Sequence, residues 1–236
     1  RVRRQRQMCI RDRPEVQRVL LQKLKDTGKP LIIVLAAGSS VNTECEGNAL
    51  INAWYPGQYG GKALAEILFG EVSPSGKLPV TFYKSADMLP DFTDYSMKNR
   101  TYRFVEKAPL YPFGYGLSYT TFNYGDITLD RTSMPMDGSL TAKVILTNTG
   151  SRDGAEVVQL YIRDKVAEST RPVKELKGFQ KVFLKAGESR EITFKITPDL
   201  LKYYNYELQY VAEPGAFDLM IGTDSQHVKT ATFVLH

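Results

Sequence analysis

The chain has 236 residues and carries 31 Lys and Arg against 26 Asp and Glu, a formal net charge of +5. Residues 1–13 (RVRRQRQMCIRDR) account for all of it, with six arginines and one aspartate, and the remaining 25 basic and 25 acidic residues cancel. An uncharged body argues against a nucleic-acid binder, whose positive surface is spread over the fold, and no apolar run approaches the ~18 residues of a membrane-spanning helix.

Residues 1–13 lack the apolar core of a secretory signal and the serines of a transit peptide. A basic arm for nucleic acid or anionic lipid is one reading. The preferred reading is a disordered leader; QRQMCIRDR resembles translated sequencing adapter, so the native chain is expected to extend further upstream. From Pro14, Val16, Val19, Leu20 and Leu24 recur at three- and four-residue spacing and predict a helix closed by Gly28. Residues 31–37 (LIIVLAA) read as a strand buried on both faces. Residues 49–55 predict a second strand, 60–69 a helix stopped by Gly70, and 78–82 (LPVTF) a third strand. This alternation predicts a mostly parallel sheet covered by helices.

Regularity fails over residues 85–125, which are rich in Pro, Gly and Tyr and read as an ordered connector pinned by ring packing. From Asp126 short alternating runs follow at 140–150, 155–164, 175–184, 188–196, 215–222 and 231–236. Strands this short and frequent predict an antiparallel β-sandwich of about 100 residues.

Few residues carry an obvious chemistry. Cys9 and Cys45 cannot build a disulfide framework, and His227 and His236 are too few for a His/Cys metal centre or a well-placed catalytic triad. GQYGGKA (57–63) misses the phosphate-loop spacing by one residue and has Ala63 where a hydroxyl is required, so its glycines are read as packing residues. Glu44 and Glu46 follow a strand end, where a carboxylate could act as a general acid or sit in the first turn of a helix; the second reading is preferred. Asp87, Asp91 and Asp94, with Phe92 and Tyr95, suit sugar recognition by stacking and hydroxyl bonds, but turn capping and aromatic packing are preferred. Arg100, Tyr102 and Arg103 could bind an anion or a hydroxyl, against a preferred buried salt bridge to the connector. Trp54, Tyr111, Tyr115 and Tyr119 are read as core and domain-interface residues.

Several blocks carry a resemblance. GKPLIIVLAAGS (28–39), AWYPGQYGGKALAEILFGEVSPSGKLPVTF (53–82), PLYPFGYGLSYTTF (109–122) and a sandwich around VILTNTGSRDGAEVVQLYI (144–162) together resemble the C-terminal part of a glycoside hydrolase family 3 enzyme. LPDFTDYSMKNRTYRF (89–104) is closer to the β-xylosidase than to the β-glucosidase branch. The resemblance implies a partial α/β domain (14–84), a connector (85–125) and a fibronectin type III-like sandwich (126–236), behind a (β/α)₈ barrel that is missing here. It implies retaining hydrolysis by two carboxylates, without metal or cofactor, on terminal xylosyl units of an oligosaccharide substrate, in a secreted or periplasmic protein with no nucleic-acid or membrane partner. The nucleophile belongs to the barrel and the acid/base glutamate to a loop upstream of residues 31–37. No catalytic, substrate-binding or metal residue is therefore carried over, and Glu44 and Glu46 do not match the acid/base position. The chain alone is expected to be inactive and, with an exposed sheet edge, less soluble than the sandwich by itself. A β-glucosidase parent and a stand-alone, non-catalytic carbohydrate-binding or interaction module are the alternatives.

Overall fold

The computed structural model describes residues 14–41 and 47–236; the leader, Glu44, Cys45 and Glu46 lie outside the described residues. Helix α1 (Glu15–Asp26) starts after Pro14 and ends as expected: Gly28, at φ 67°, supplies the left-handed residue that follows the last turn. Strands β1 (Ile32–Leu35) and β2 (Ala49–Asn52) pair in parallel, Ile32 opposite Ala49 through Leu35 opposite Asn52. Helix α2 (Gly60–Leu68) follows, stopped by Gly70 at φ 76°.

Two expectations for this part are corrected. Residues 31–37 are not buried on both faces: Ile32 and Val34 are 51% and 41% exposed, because among the described residues β1 pairs only with β2 and nothing covers that face. The periodic side chains of α1, Val16, Val19, Leu20 and Leu24, are likewise exposed. Nor is 78–82 a strand. Pro79 has no amide to extend a ladder; Leu78 N instead donates to Tyr115 O, Gly114 N donates to Leu78 O, and Phe82 forms an isolated antiparallel bridge with Tyr111. A single 3₁₀ turn (Ala86–Met88) and the short helix α3 (Thr101–Phe104) punctuate the irregular segment.

The sandwich uses β3 (Phe122–Tyr124), β4 (Thr128–Leu129), β5 (Ser133–Met134), β6 (Leu140–Asn148), β7 (Gly154–Asp164), β8 (Glu175–Leu184) and β9 (Ser189–Ile196). After helix α4 (Pro198–Leu201) come a small hairpin, β10 (Tyr203–Tyr204) and β11 (Tyr210–Val211), then β12 (Gly215–Gly222) and β13 (Val228–Leu235). In one sheet β6 is central, with β9 on one edge and both β3 and β4 on the other, all antiparallel. The facing sheet has the order β5-β13-β12-β7-β8. Strand β3 lies ahead of Asp126, the expected start, because three residues are too few to display a period.

Alternation explains the core. Leu140, Ala142, Val144 and Leu146 of β6 face Val158, Leu160 and Ile162 of β7, with Phe217, Leu219 and Ile221 of β12 beside them. Each large side chain removed from water contributes about 1.5–3 kcal/mol. Every member of this buried cluster lies between Met134 and Leu235; among the described residues, none of 14–121 belongs to it.

Candidate functional site

Two places outside that core gather polar chemistry: the joint between connector and sandwich, and the loop ahead of α3. The joint forms because residues 111–119 run across the end of the sandwich. Glu156 shares the inward parity of Val158 and Leu160 but sits at the end of β7, where the core gives way to the connector. Lys77 Nζ enters there, 3.0 Å from Glu156 Oε1, with both side chains almost wholly buried. The remaining valences are filled: Lys77 Nζ donates to Thr223 Oγ1 (2.8 Å) and Gly116 O (3.2 Å), while Thr223 Oγ1 and Tyr124 OH donate to Glu156 Oε1 (2.7 and 3.0 Å). Burial pushes the Tyr124 hydroxyl far up, and the neighbouring Glu156 carboxylate adds to the effect.

On the other face of β7, Gln159 Nε2 donates to Gly114 O (3.1 Å) and Thr223 O (2.5 Å), and Tyr161 OH donates to Gln159 Oε1 (2.5 Å). Tyr102 stacks on Phe113 at 4.2 Å and meets Tyr161 edge-on, and its hydroxyl accepts from Leu176 N. Gly114 sits at φ 82°, and a Cβ there would fall on the Gln159 side chain. Gly114→Ala is expected to break the Gln159 clamp and free the connector while the sandwich stays folded. Limited proteolysis should then cut within residues 85–119 at least tenfold faster; unchanged cleavage would refute the clamp.

The loop over residues 85–107 is organised by short-range capping. Asp91 Oδ1 accepts from the amide and hydroxyl of Thr93 (2.8 and 2.6 Å), and Asp94 Oδ1 from Ser96 N (2.9 Å). Arg100 Nη2 donates to the carbonyls of Asp91 and Asp94 (2.7 and 2.8 Å), closing the loop on itself. Met97, Asn99 and Thr101 all hold positive φ (63°, 59° and 54°), a conformation that L side chains adopt only where the surroundings impose it. Tyr83 imposes it: its buried hydroxyl accepts from Thr101 N (2.7 Å) and donates to Asn99 O (3.4 Å). A cleft opens beside this turn, lined by Asp87, Met88, Leu89, Pro90, Asn99, Val105 and Lys107.

The hydrogen bonds from Thr93 and Ser96 hold the Asp91 and Asp94 carboxyls below the usual carboxylate range. Folded values below the unfolded ones mean that these caps stabilise the loop above that range and are lost as pH falls through it. An acid titration followed by NMR should therefore show the Thr93 and Ser96 amides unmoved until below the usual carboxylate range, and moving together thereafter. Inflection at an ordinary carboxylate value would contradict the caps.

The capping expectation for Asp91 and Asp94 thus holds, but the aromatic packing expected with it does not: Phe92 and Tyr95 are 61% and 82% exposed, because the loop closes through backbone and Arg100 and leaves its rings outside. The expected Arg103 salt bridge to the connector is also corrected. Arg103 pairs with Glu175 of β8 at 2.7 Å and is half-exposed, since α3 abuts the sandwich. Arg100 bonds carbonyls rather than an acid. Trp54 meets Phe82 edge-on and Tyr111 stacks on Tyr115, but Trp54, Tyr111 and Tyr115 are only part-buried and none belongs to the core. Tyr119, expected with them, is exposed, with its hydroxyl donating to Ile67 O. Gly60 packs against Pro56 at the start of α2. His227 Nδ1 lies 2.8 Å from the buried Asp224 carboxylate. Among the described residues no group of three or more His, Cys, Asp or Glu is placed to hold a metal, and no helix is long and apolar enough to cross a membrane. Lys77, Glu156, Gln159 and Thr223 escaped the sequence reading; the one available signal was an acid and an amide inside the otherwise apolar run of β7.

Residues 10–119 match the glycosyl hydrolase family 3 C-terminal domain, and residues 156–225 the fibronectin type III-like domain. A periplasmic beta-glucosidase of Salmonella typhimurium is 44% identical over 94% of the chain, and a xylan 1,4-beta-xylosidase of Xylanibacter ruminicola 43% identical over 90%. The solved structure of a β-glucosidase from Erythrobacter marinus superposes with a TM-score of 0.85 at 38% identity over 95% of the chain. The chain spans only 31%, 25% and 30% of these three proteins.

Proposed function

Because the chain belongs to glycosyl hydrolase family 3, within which it spans the C-terminal α/β domain and the fibronectin type III-like domain, we propose that it is the non-catalytic C-terminal portion of an exo-acting β-xylosidase. In this reading residues 14–84 are the later part of the α/β domain, the segment up to residue 121 is the connector, and the sandwich runs from Phe122 onward. The larger protein releases xylose from the non-reducing ends of xylo-oligosaccharides by double displacement, using carboxylates outside these 236 residues and neither metal nor cofactor. What carries the reading is the segment LPDFTDYSMKNRTYRF (89–104), of β-xylosidase character, in a chain 43% identical to a xylan 1,4-beta-xylosidase over 90% of its length. At the joint, Lys77, Gly114 and Gly116 of the family segment meet Glu156, Gln159 and Thr223 of the sandwich, so the two matched domains form one built unit. The name of the Salmonella relative supports a periplasmic or secreted setting.

The test is to express the chain alone and joined to its upstream coding sequence, and to assay aryl β-xyloside and aryl β-glucoside. The joined protein should favour the xyloside at least tenfold in kcat/KM, and the 236-residue chain should turn over neither. A faster glucoside would favour the second reading, a β-glucosidase, which the Salmonella relative supports. Turnover by the short chain would overturn its non-catalytic role.

A further inference from the structure

We propose that the cleft beside the Met97–Thr101 turn is a binding site for one neutral pyranosyl unit of a glycoside. The proposal rests on the glycosidase reading above and adds a ligand-contacting site to a region assigned no catalytic part. Asp87, Met88, Leu89 and Pro90 form one wall, and Asn99, Val105 and Lys107 the other. The cleft between them is open to solvent and offers about 190 Å³, room for a sugar ring.

Three observations converge on a sugar. First, Asn99 lines the cleft and its Oδ1 accepts no hydrogen bond in the structure; a buried acceptor left unmet is costly, and a turn of the side chain toward the cleft would offer it to a ligand hydroxyl. Second, Asn99 is held at φ 59°, between two further left-handed residues and under the Tyr83 hydroxyl. The residue is thus held by a strained backbone, the setting in which strain accompanies ligand contact. Third, the lining matches a polyhydroxylated ring. Met88, Leu89, Pro90 and Val105 offer apolar contact to C–H faces, while Asp87 can accept from hydroxyls and Lys107 can donate to them. Their opposite charges cancel, which suits a neutral ligand and disfavours a phosphate. Segment 91–98 leaves Pro90 on one wall and returns at Asn99 on the other, clamped by Arg100. Its rings, Phe92 and Tyr95, are exposed and lie outside the cleft lining.

The test titrates the isotopically labelled 236-residue chain with xylobiose, cellobiose and inorganic phosphate while following backbone amides. Xylobiose is expected to shift amides of residues 87–89 and 99–107, with phosphate moving none of them. Asn99→Gly keeps a residue tolerant of positive φ and removes the amide, and should weaken binding about tenfold. Lys107→Ala, at an exposed position on the cleft wall, should weaken it severalfold with an unchanged melting temperature. The proposal is overturned if no saccharide moves these amides, if the shifts map instead to the tyrosines of the β10–β11 hairpin, if phosphate binds more tightly than xylobiose, or if both variants bind like the parent. Xyloside hydrolysis by the longer protein, with an unresponsive cleft, would sink this site and keep the glycosidase reading. A responsive cleft in a longer protein that hydrolyses no glycoside would keep the site and sink that reading.

Discussion

Glu156→Ala is expected to destabilise the chain by about 3–5 kcal/mol, the cost of removing one partner of a buried ion pair. The Lys77 ammonium would remain inside the joint facing Gly116 O and Thr223, and the hydroxyls of Thr223 and Tyr124 would lose their shared acceptor. Solvent cannot compensate easily, because the two charged side chains are only 10% and 6% exposed. Lys77→Met combined with Glu156→Leu removes both charges at similar volume and should recover most of the loss, since a buried pair and a well-packed apolar pair differ little. Urea unfolding followed by far-UV circular dichroism, which reports the strands of the sandwich, reads both variants. A loss below about 1 kcal/mol for Glu156→Ala would mean that water reaches the pair and that the joint is not sealed.

Phe217→Ala is the second large effect, about 3–5 kcal/mol. Phe217 is 1% exposed and stacks on Phe233 with ring centroids 5.4 Å apart across the β12–β13 pair. Truncation leaves a void between two rigid sheets that cannot close on it. Phe179→Ala is the control: on edge strand β8 its ring is 66% exposed, and the change should stay within about 0.5 kcal/mol. If the two substitutions cost the same, the sandwich does not bury its core between these sheets.

Several of the long strands were legible because they alternate, as in LTAKVILTN and SREITFKI; β7 is legible instead from its length and the residues that bound it. The two-residue strands β4, β5, β10 and β11 show no period and owe their form to a neighbour. Residues 78–82 misled by composition: LPVTF has strand-like residues, but Pro79 and the pull of Leu78 and Phe82 toward 110–115 decide otherwise. In the candidate site, the caps at Asp91 and Asp94 were readable since their partners lie two residues away. Lys77 and Thr223 are 146 residues apart, and no local pattern announces such a meeting. β7 could have flagged it, for VVQLYI is too continuously apolar for a strand with one wet face.

The confinement of the buried cluster to Met134–Leu235 has a dynamic consequence. Among the described residues, 14–76 add nothing to that cluster, and a segment outside the main core borrows its order from what it leans against. The sandwich should therefore act as a separate cooperative unit, with amides on β6, β7 and β12 exchanging only through global opening, while those of β1, β2 and α1 exchange through a cheaper, local release. The molecule is thus graded from one end to the other, rigid where it is sealed by aromatic and aliphatic packing, and permissive where its strands wait for a neighbour.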